Sequence, residues 1–278
     1  MTQTARSRGA TTGFAVVLLA RHRTAMRTYA RLCARTPGTA ARLEAAAARG
    51  VFRELLRYDL PPVARPRLVV AVREAAEQLL QAPHAALSAS LERAALAGSV
   101  RPAPHRALLA RALSELPPDA QCLLWHREVE KEDCARIAPL LGMEAATAAT
   151  RAAYCRGLLL SRCTELHAKL APTRECTRYT RLLEASCGRR TPADVHAHCV
   201  RCSHCRHAAE QFDQSDGRLA LLLTEAVLGW GAEDYLRLRR AAAAQRPGDQ
   251  DGPARTTARH AAPRSRLRGG IARDAARR

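Results

Sequence analysis

Residues 113–160, LSELPPDAQCLLWHREVEKEDCARIAPLLGMEAATAATRAAYCRGLLL, decide how this chain folds. Pro117-Pro118 opens a first helix, because a proline in the first turn gives up an N–H that has no intrahelical partner anyway. Asp133 is placed to cap a second helix, whose apolar face is Ile137, Leu140 and Leu141. Gly142 supplies a sharp turn and a third helix begins at Ala145. A short helix, a glycine turn and a second helix form the helix-turn-helix layout, in which the last element enters the DNA major groove. Small residues on that helix allow it to approach the groove wall. Thr147, Thr150, Arg151 and Arg156 are the side chains expected to reach bases or phosphates. The same periodicity fits a three-helix bundle that touches no DNA; the Leu-Gly turn and the basic charge of the chain favour DNA.

Composition extends the helical reading to the whole chain. Of 278 residues, 47% are hydrophobic but only 4% aromatic, so the core is built from Ala, Leu and Val, which suits packed helices rather than sheets. The expected fold class is all-α. The chain carries 45 Lys plus Arg against 26 Asp plus Glu, a formal charge of +19, and only Lys131 and Lys169 are lysines. A GC-rich genome explains Arg in place of Lys but not the excess over acids. That excess points to a polyanionic partner, nucleic acid or an RNA polymerase surface ahead of a membrane. The apolar run at residues 14–20 is far short of the roughly 20 residues that span a bilayer. A cytoplasmic protein is therefore expected, its cysteines reduced or metal-bound.

The second informative stretch is His198-Cys199-Val200-Arg201-Cys202-Ser203-His204-Cys205. Thiolates and imidazoles at this spacing are what tetrahedral Zn2+ requires, and His198, Cys202 and Cys205 can converge with little chain between them. A fourth ligand must come from elsewhere, with Cys176 and Cys187 both upstream and Cys199 an alternate inside the run; His196 and His204 are spare donors. Cys176 and Cys187 share the segment ECTRYTRLLEASCGRR, read as one amphipathic helix with Tyr179, Leu182 and Leu183 on its apolar side. Neither the His-x-Glu of nucleobase deaminases nor the His-Glu-x-x-His of zinc proteases occurs. A structural zinc and a non-enzymatic protein are expected.

Along the chain, residues 1–12 are polar and expected to be disordered. Residues 13–82 read as a helical domain with a break at Thr36-Pro37-Gly38, and residues 83–106 as a looser helix or linker rich in Ala and Pro. Residues 107–170 hold the helix-turn-helix and residues 173–211 the zinc module. Residues 218–240 form an amphipathic helix broken at Gly229-Trp230-Gly231, and residues 241–278 a basic disordered tail of nine Arg against three Asp.

The pattern Leu116-Pro117, then Ile137-Ala138-Pro139-Leu140-Leu141-Gly142, then Thr147 and Arg151, resembles region four of the extracytoplasmic-function sigma factors. Residues 14–33, with their Arg-His and Tyr-Ala-Arg, and residues 67–77 resemble the opening and closing helices of sigma region two. A Cys followed by His-x3-Cys-x2-Cys resembles the zinc-binding anti-sigma domain, in which the leading ligand sits about two dozen residues before the motif His. That resemblance implies Cys176 as the fourth ligand. It also implies promoter DNA and core RNA polymerase as partners, with a further sigma or anti-sigma partner for the zinc helices. The chain departs from the family at residues 41–48, where Ala-Arg-Leu-Glu-Ala-Ala-Ala-Ala stands in place of the acidic Glu-Asp-Leu-x-Gln-Glu signature. It departs again at Arg136, Pro139 and Ala149. The expected function is a sigma-factor-like DNA-binding transcription regulator with a fused zinc module; the alternative is an anti-sigma-like interaction module with a relic helix-turn-helix.

Overall fold

The computed structural model describes residues 3–57, 64–82, 86–186, 192–214 and 217–245. The expectations for Cys187 and for the tail beyond residue 245 lie outside the described residues. Among those described there is no strand, and the all-α expectation holds.

The first three helices, α1 (Gln3–Cys33), α2 (Pro37–Arg57) and α3 (Ala64–Leu79), pack on one another. Their shared interior holds Met26, Tyr29, Leu43, Val51, Leu68 and Val72, all essentially shielded from solvent. Helix α1 starts at Gln3, ahead of the expected residue 13; once a helix is nucleated, each further residue costs little to add. The break between α1 and α2 comes from Thr36, whose Oγ1 accepts from the Thr39 amide at 3.2 Å and so starts α2.

Of the two readings of the stretch after α3, a looser helix or a linker, the structure shows a helix joined by an ordered segment. Leu87 pairs with Ala34 in an antiparallel bridge, with Arg35 N donating to Ala86 O and Ser88 N to Cys33 O, both at 2.9 Å. Ser88 then caps α4 (Ala89–Leu96), accepting from the Leu91 amide. The physical reason is apolar spacing: Leu87, Leu91 and Ala94 fall at helical intervals and are all buried, which offsets the cost of ordering the chain.

Helices α5 (Ala107–Ser114) and α6 (Pro118–Leu124) follow, and α6 widens into a π turn at Trp125–Val129 that buries Trp125, His126 and Val129 together. Asp133 caps α7 (Cys134–Ile137) as expected, accepting from the Ala135 amide. Pro139 has no N–H to continue the α ladder, so the chain tightens into a 3₁₀ turn at Ala138–Leu140. Gly142, at φ +62°, then turns the chain into the 25-residue α8 (Ala145–Lys169).

The remaining elements are α9 (Arg174–Ala185), α10 (Ala193–Arg201), α11 (Ser203–Phe212), α12 (Arg218–Leu228) and α13 (Ala232–Ala244). The segment read as a broken amphipathic helix is central to the packing: Leu219, Ala220, Leu222, Leu223, Thr224, Ala226 and Leu228 of α12 are all buried. The elbow at 229–231 presses on the chain before α5, where a Cβ on Gly229 would meet Arg101 C at 2.5 Å, so only glycine fits. Arg73 of α3 donates to the Val227 and Leu228 carbonyls at the end of α12, and Tyr29 of α1 donates to Trp230 O at 2.7 Å.

A buried ionic knot joins these parts. Glu130 accepts from Tyr235 Oη at 2.6 Å, from Trp125 Nε1 at 3.2 Å and from Arg239 Nε in a short hydrogen bond. Arg65 of α3 reaches Glu130 at 3.5 Å and Glu132 at 2.6 Å, and donates through Nε to His22 Nδ1 at 3.1 Å. Glu132 also bonds His126 Nδ1 at 2.8 Å. Lys131, at φ +51°, keeps the turn tight between the two carboxylates. Two guanidiniums thus balance two carboxylates, all four side chains under a tenth exposed. Residues 13–82 and 107–170 are therefore parts of one compact unit ending at Gln245, not domains on a tether.

Removing one member of such a knot leaves the others charged and unmatched in a low dielectric. Glu130→Ala is expected to destabilise the protein by about 3–5 kcal/mol in chemical denaturation. The buried histidines add a pH dependence. Burial, then the Arg65 charge, pushes His22 down to about 3, and burial lowers His126. The unfolded chain takes up protons below about pH 6.5 that the native state refuses. Stability should therefore fall as pH drops from 6.5 towards 4, read as a declining urea midpoint; a midpoint unchanged between pH 7 and 5 would contradict it.

Candidate metal centre

Four side chains converge beside the end of α8. Cys176 sits in the first turn of α9, His198 in the last turn of α10, Cys202 at the joint between α10 and α11, and Cys205 in the first turn of α11. Their ligand atoms all lie within 4.8 Å of one another. Cys176 Sγ is 3.6 Å from Cys202 Sγ and 3.7 Å from His198 Nε2, which is 3.2 Å from Cys205 Sγ. A tetrahedron with metal–sulfur bonds of about 2.3 Å and metal–nitrogen bonds of about 2.0 Å has edges of about 3.5–3.8 Å. The donors are close to that spacing, so the set fits one small divalent cation.

The three donors expected from spacing meet Cys176, the fourth that the resemblance implied, but not on one continuous helix. His198 and Cys202 do not share a helix: Cys202 is extended, at φ −115° and ψ 107°, and breaks the run into two helices. That kink swings Cys202 Sγ back towards His198 while Cys205 rises on the new helix. Of the alternates, Cys199 is half-buried and outside the cluster, its thiol pushed up by burial, and His196 is exposed. On α9, Leu182 points to solvent, and the buried stripe is Cys176, Thr180 and Leu183.

Surrounding groups orient the donors. Thr173 caps α9, accepting from Cys176 N and donating to Cys176 Sγ, both at 3.2 Å. Glu175 lies 3.4 Å from His198 Nδ1, leaving Nε2 to face the cluster, and Tyr179 stacks on the same ring at 4.4 Å. Burial opposes ionisation of Cys176, yet the Thr173, His198 and neighbouring thiol hydrogen bonds outweigh it and bring its pKa down to about 7. Burial and the adjacent Cys176 push Cys205 up. One thiolate forms readily and discourages the next, so a bound cation supplies the charge that lets all three ionise together.

Four contributors were missed from sequence: Thr173, Glu175, Thr180 and His167. His167 lies in the last turn of α8, fully buried, pushed down to about 4 by burial and the nearby His204 and His198. Its only sequence signal is its place four residues after buried Cys163 on the inward stripe of α8.

The residues expected at DNA divide in two. Thr147, Thr150 and Arg151 are exposed on α8; Thr150 Oγ1 donates to Ala146 O at 3.1 Å, and Arg151 pairs with Asp119 at 3.1 Å. Arg156 faces elsewhere, reaching Glu128 at 3.5 Å and donating to Gln214 O at 3.3 Å. Nine residues at about 100° per residue put it about 180° from Thr147. Tyr154, seven residues on and 68% exposed, does share the Thr147 face and was not anticipated.

No protein-family model, no curated protein and no solved structure matches the chain. Fold and site together define an all-helical protein with a candidate metal centre built from three cysteines and a histidine, and no helix among those described is long and apolar enough to cross a membrane.

Loading the four-donor pocket should raise stability by roughly 4 kcal/mol when free metal is about 1,000 times its Kd. Melting with and without chelator measures this, and in a Cys202→Ser, Cys205→Ser double variant the two curves are expected to coincide.

Proposed function

We propose that the protein is a non-enzymatic, DNA-binding transcription regulator of sigma-factor type, acting with core RNA polymerase at promoters and stiffened by a structural Zn2+. The observation that carries this reading is the α7, Gly142, α8 arrangement, which leaves Thr147, Thr150, Arg151 and Tyr154 on one exposed face. The formal charge of +19 supports a phosphate-rich partner. Hydroxyls and a guanidinium on a helix face can meet bases and phosphates, while phosphate neutralisation supplies most of the affinity. The sigma-factor assignment rests on the Leu-Gly turn and its flanking helices, and a cytoplasmic location follows from that role.

Zinc is the preferred ion because soft thiolates with one imidazole at tetrahedral spacing select it over hard, oxygen-seeking cations. When bound it supplies a rigid cross-link among α9, α10 and α11, and four protein donors leave no position for a reactive water. Cys176 and Cys205 hold it from the first turns of two helices, and Glu175 fixes the His198 ring.

One observation favours the second reading, an anti-sigma-like module that binds a sigma factor or polymerase surface through a relic helix-turn-helix. Arg151 is already engaged by Asp119, so DNA has to displace that carboxylate.

Selection of bound duplexes from a random pool, followed by titration across salt, separates the two. A regulator enriches a defined sequence; Arg151→Ala weakens binding and lowers the salt slope by about 0.9 for each phosphate left unneutralised. Tyr154→Ala weakens binding too, whereas Arg156→Ala leaves the DNA affinity of the folded protein intact. An unenriched pool identifies the relic.

A further inference from the structure

We propose that His167 is a positioning residue of the metal centre, donating from Nε2 to Cys205 Sγ and thereby tying the far end of α8 to the metal. The proposal rests on the zinc reading of the four-donor cluster. His167 Nε2 lies 3.5 Å from Cys205 Sγ, and its Nδ1 lies 2.9 Å from Thr180 Oγ1. The Thr180 hydroxyl has one proton and two acceptors in reach, His167 Nδ1 at 2.9 Å and the Cys176 carbonyl at 3.3 Å; the shorter contact takes it, which leaves the imidazole proton on Nε2, facing the sulfur. A neutral ring in this orientation offers a metal-bound thiolate one N–H donor and adds no charge.

The ring has little freedom to do otherwise. It has no solvent exposure, stacks on His204 at 4.4 Å and 19°, and meets the edge of Phe212 at 5.8 Å. His204 Nε2 also lies 3.3 Å from the His167 carbonyl, so α11 holds both the backbone and the side chain of this turn. His167 ligates nothing itself, because it falls outside the set of mutually close donors. An N–H···S bond stabilises the ionised form of the sulfur that a metal requires and keeps Cys205 oriented, so its removal costs metal affinity.

The consequence reaches beyond the cluster. Thr147 and His167 stand on one helix, 20 residues apart, a rigid span of roughly 30 Å. Without His167 the metal would grip only α9, α10 and α11. With it, metal loading also fixes the last turn of the helix whose first turns carry the exposed Thr147, Thr150 and Arg151 face.

The test uses the full chain loaded with Co2+ in place of zinc, together with zinc competition against a chromophoric chelator. Wild type is expected to show tetrahedral cobalt bands. His167→Ala should keep that tetrahedral pattern, shift the thiolate-to-cobalt charge-transfer band, and lose roughly 10- to 100-fold in zinc affinity. His167→Gln retains an N–H donor and should recover part of both, which a purely structural filler would not predict; it also serves if His167→Ala does not fold. Amide exchange at residues 160–170 should slow on metal loading in wild type and not in His167→Ala. A wild-type chain without tetrahedral cobalt bands overturns the zinc reading and this proposal with it. Tetrahedral bands that superimpose between wild type and His167→Ala, with equal zinc affinity, overturn the role of His167 alone.

Discussion

Glu130 is the carboxylate on which the architecture turns. It is completely buried and is met by Trp125 from the π turn, Arg65 from α3, and Tyr235 and Arg239 from α13. A lone carboxylate in that environment is prohibitively costly, so every element supplying a donor must arrive together. This makes the knot a source of specificity: any packing that parts Arg65 or Arg239 from Glu130 and Glu132 leaves a buried charge unmatched, a penalty that apolar contacts among Ala- and Leu-rich helices do not carry.

What could be read from sequence was whatever has a local cause. The Asp133 cap, the Gly142 turn, the Gly229-Trp230-Gly231 elbow and three of the four clustered donors, His198, Cys202 and Cys205, each follow from residues a few positions apart, whereas Cys176 is favoured over Cys187 only through the resemblance. The knot does not, since Glu130 and Arg239 are separated by 109 positions and neither is unusual in its own helix. The buried status of α12 escaped for a related reason. Leu219-Ala-Leu-Leu-Leu is apolar around the whole helix, which signals a central element rather than an amphipathic surface one. At the cluster, spacing gave three of the donors but not the kink at Cys202, because a His-x3-Cys run is equally compatible with a continuous helix. Arg156 shows the converse: it lies on the same helix as Thr147 but half a turn away from it, against Glu128.

The two chemical centres divide the labour differently. The ionic knot holds α1 and α3 against α13 through charge that cancels within the protein, and it needs nothing from outside. The thiol cluster cannot cancel its own charge: Cys176 ionises near 7 while its neighbour Cys205 is pushed up. Its helices are also poor in apolar side chains, with Cys176, Thr180 and Leu183 the buried residues of α9. A cation at that point would add a cross-link to the small apolar set buried there, Leu166, Leu183, Val195, Ala208 and Phe212.

These two anchors bracket the helix proposed to meet DNA. Arg156 holds the middle of α8 to Glu128, two residues before the knot's central carboxylate, and His167 meets the thiol cluster at its end. The bundle α1 to α3 cannot move away from α8 as an independent domain without pulling Arg65 from Glu130 and Glu132, which would expose charges that now neutralise one another. Under the sigma-type reading, the protein therefore presents its reading face as part of one body rather than as a tethered head. Any adjustment to a duplex must come from the few exposed side chains, above all the release of Arg151 from Asp119. That exchange of one carboxylate for one phosphate is the smallest rearrangement the surface allows, and it sets the affinity scale: a salt-dependent phosphate interaction forms at the expense of an exposed ion pair worth at most about 1 kcal/mol.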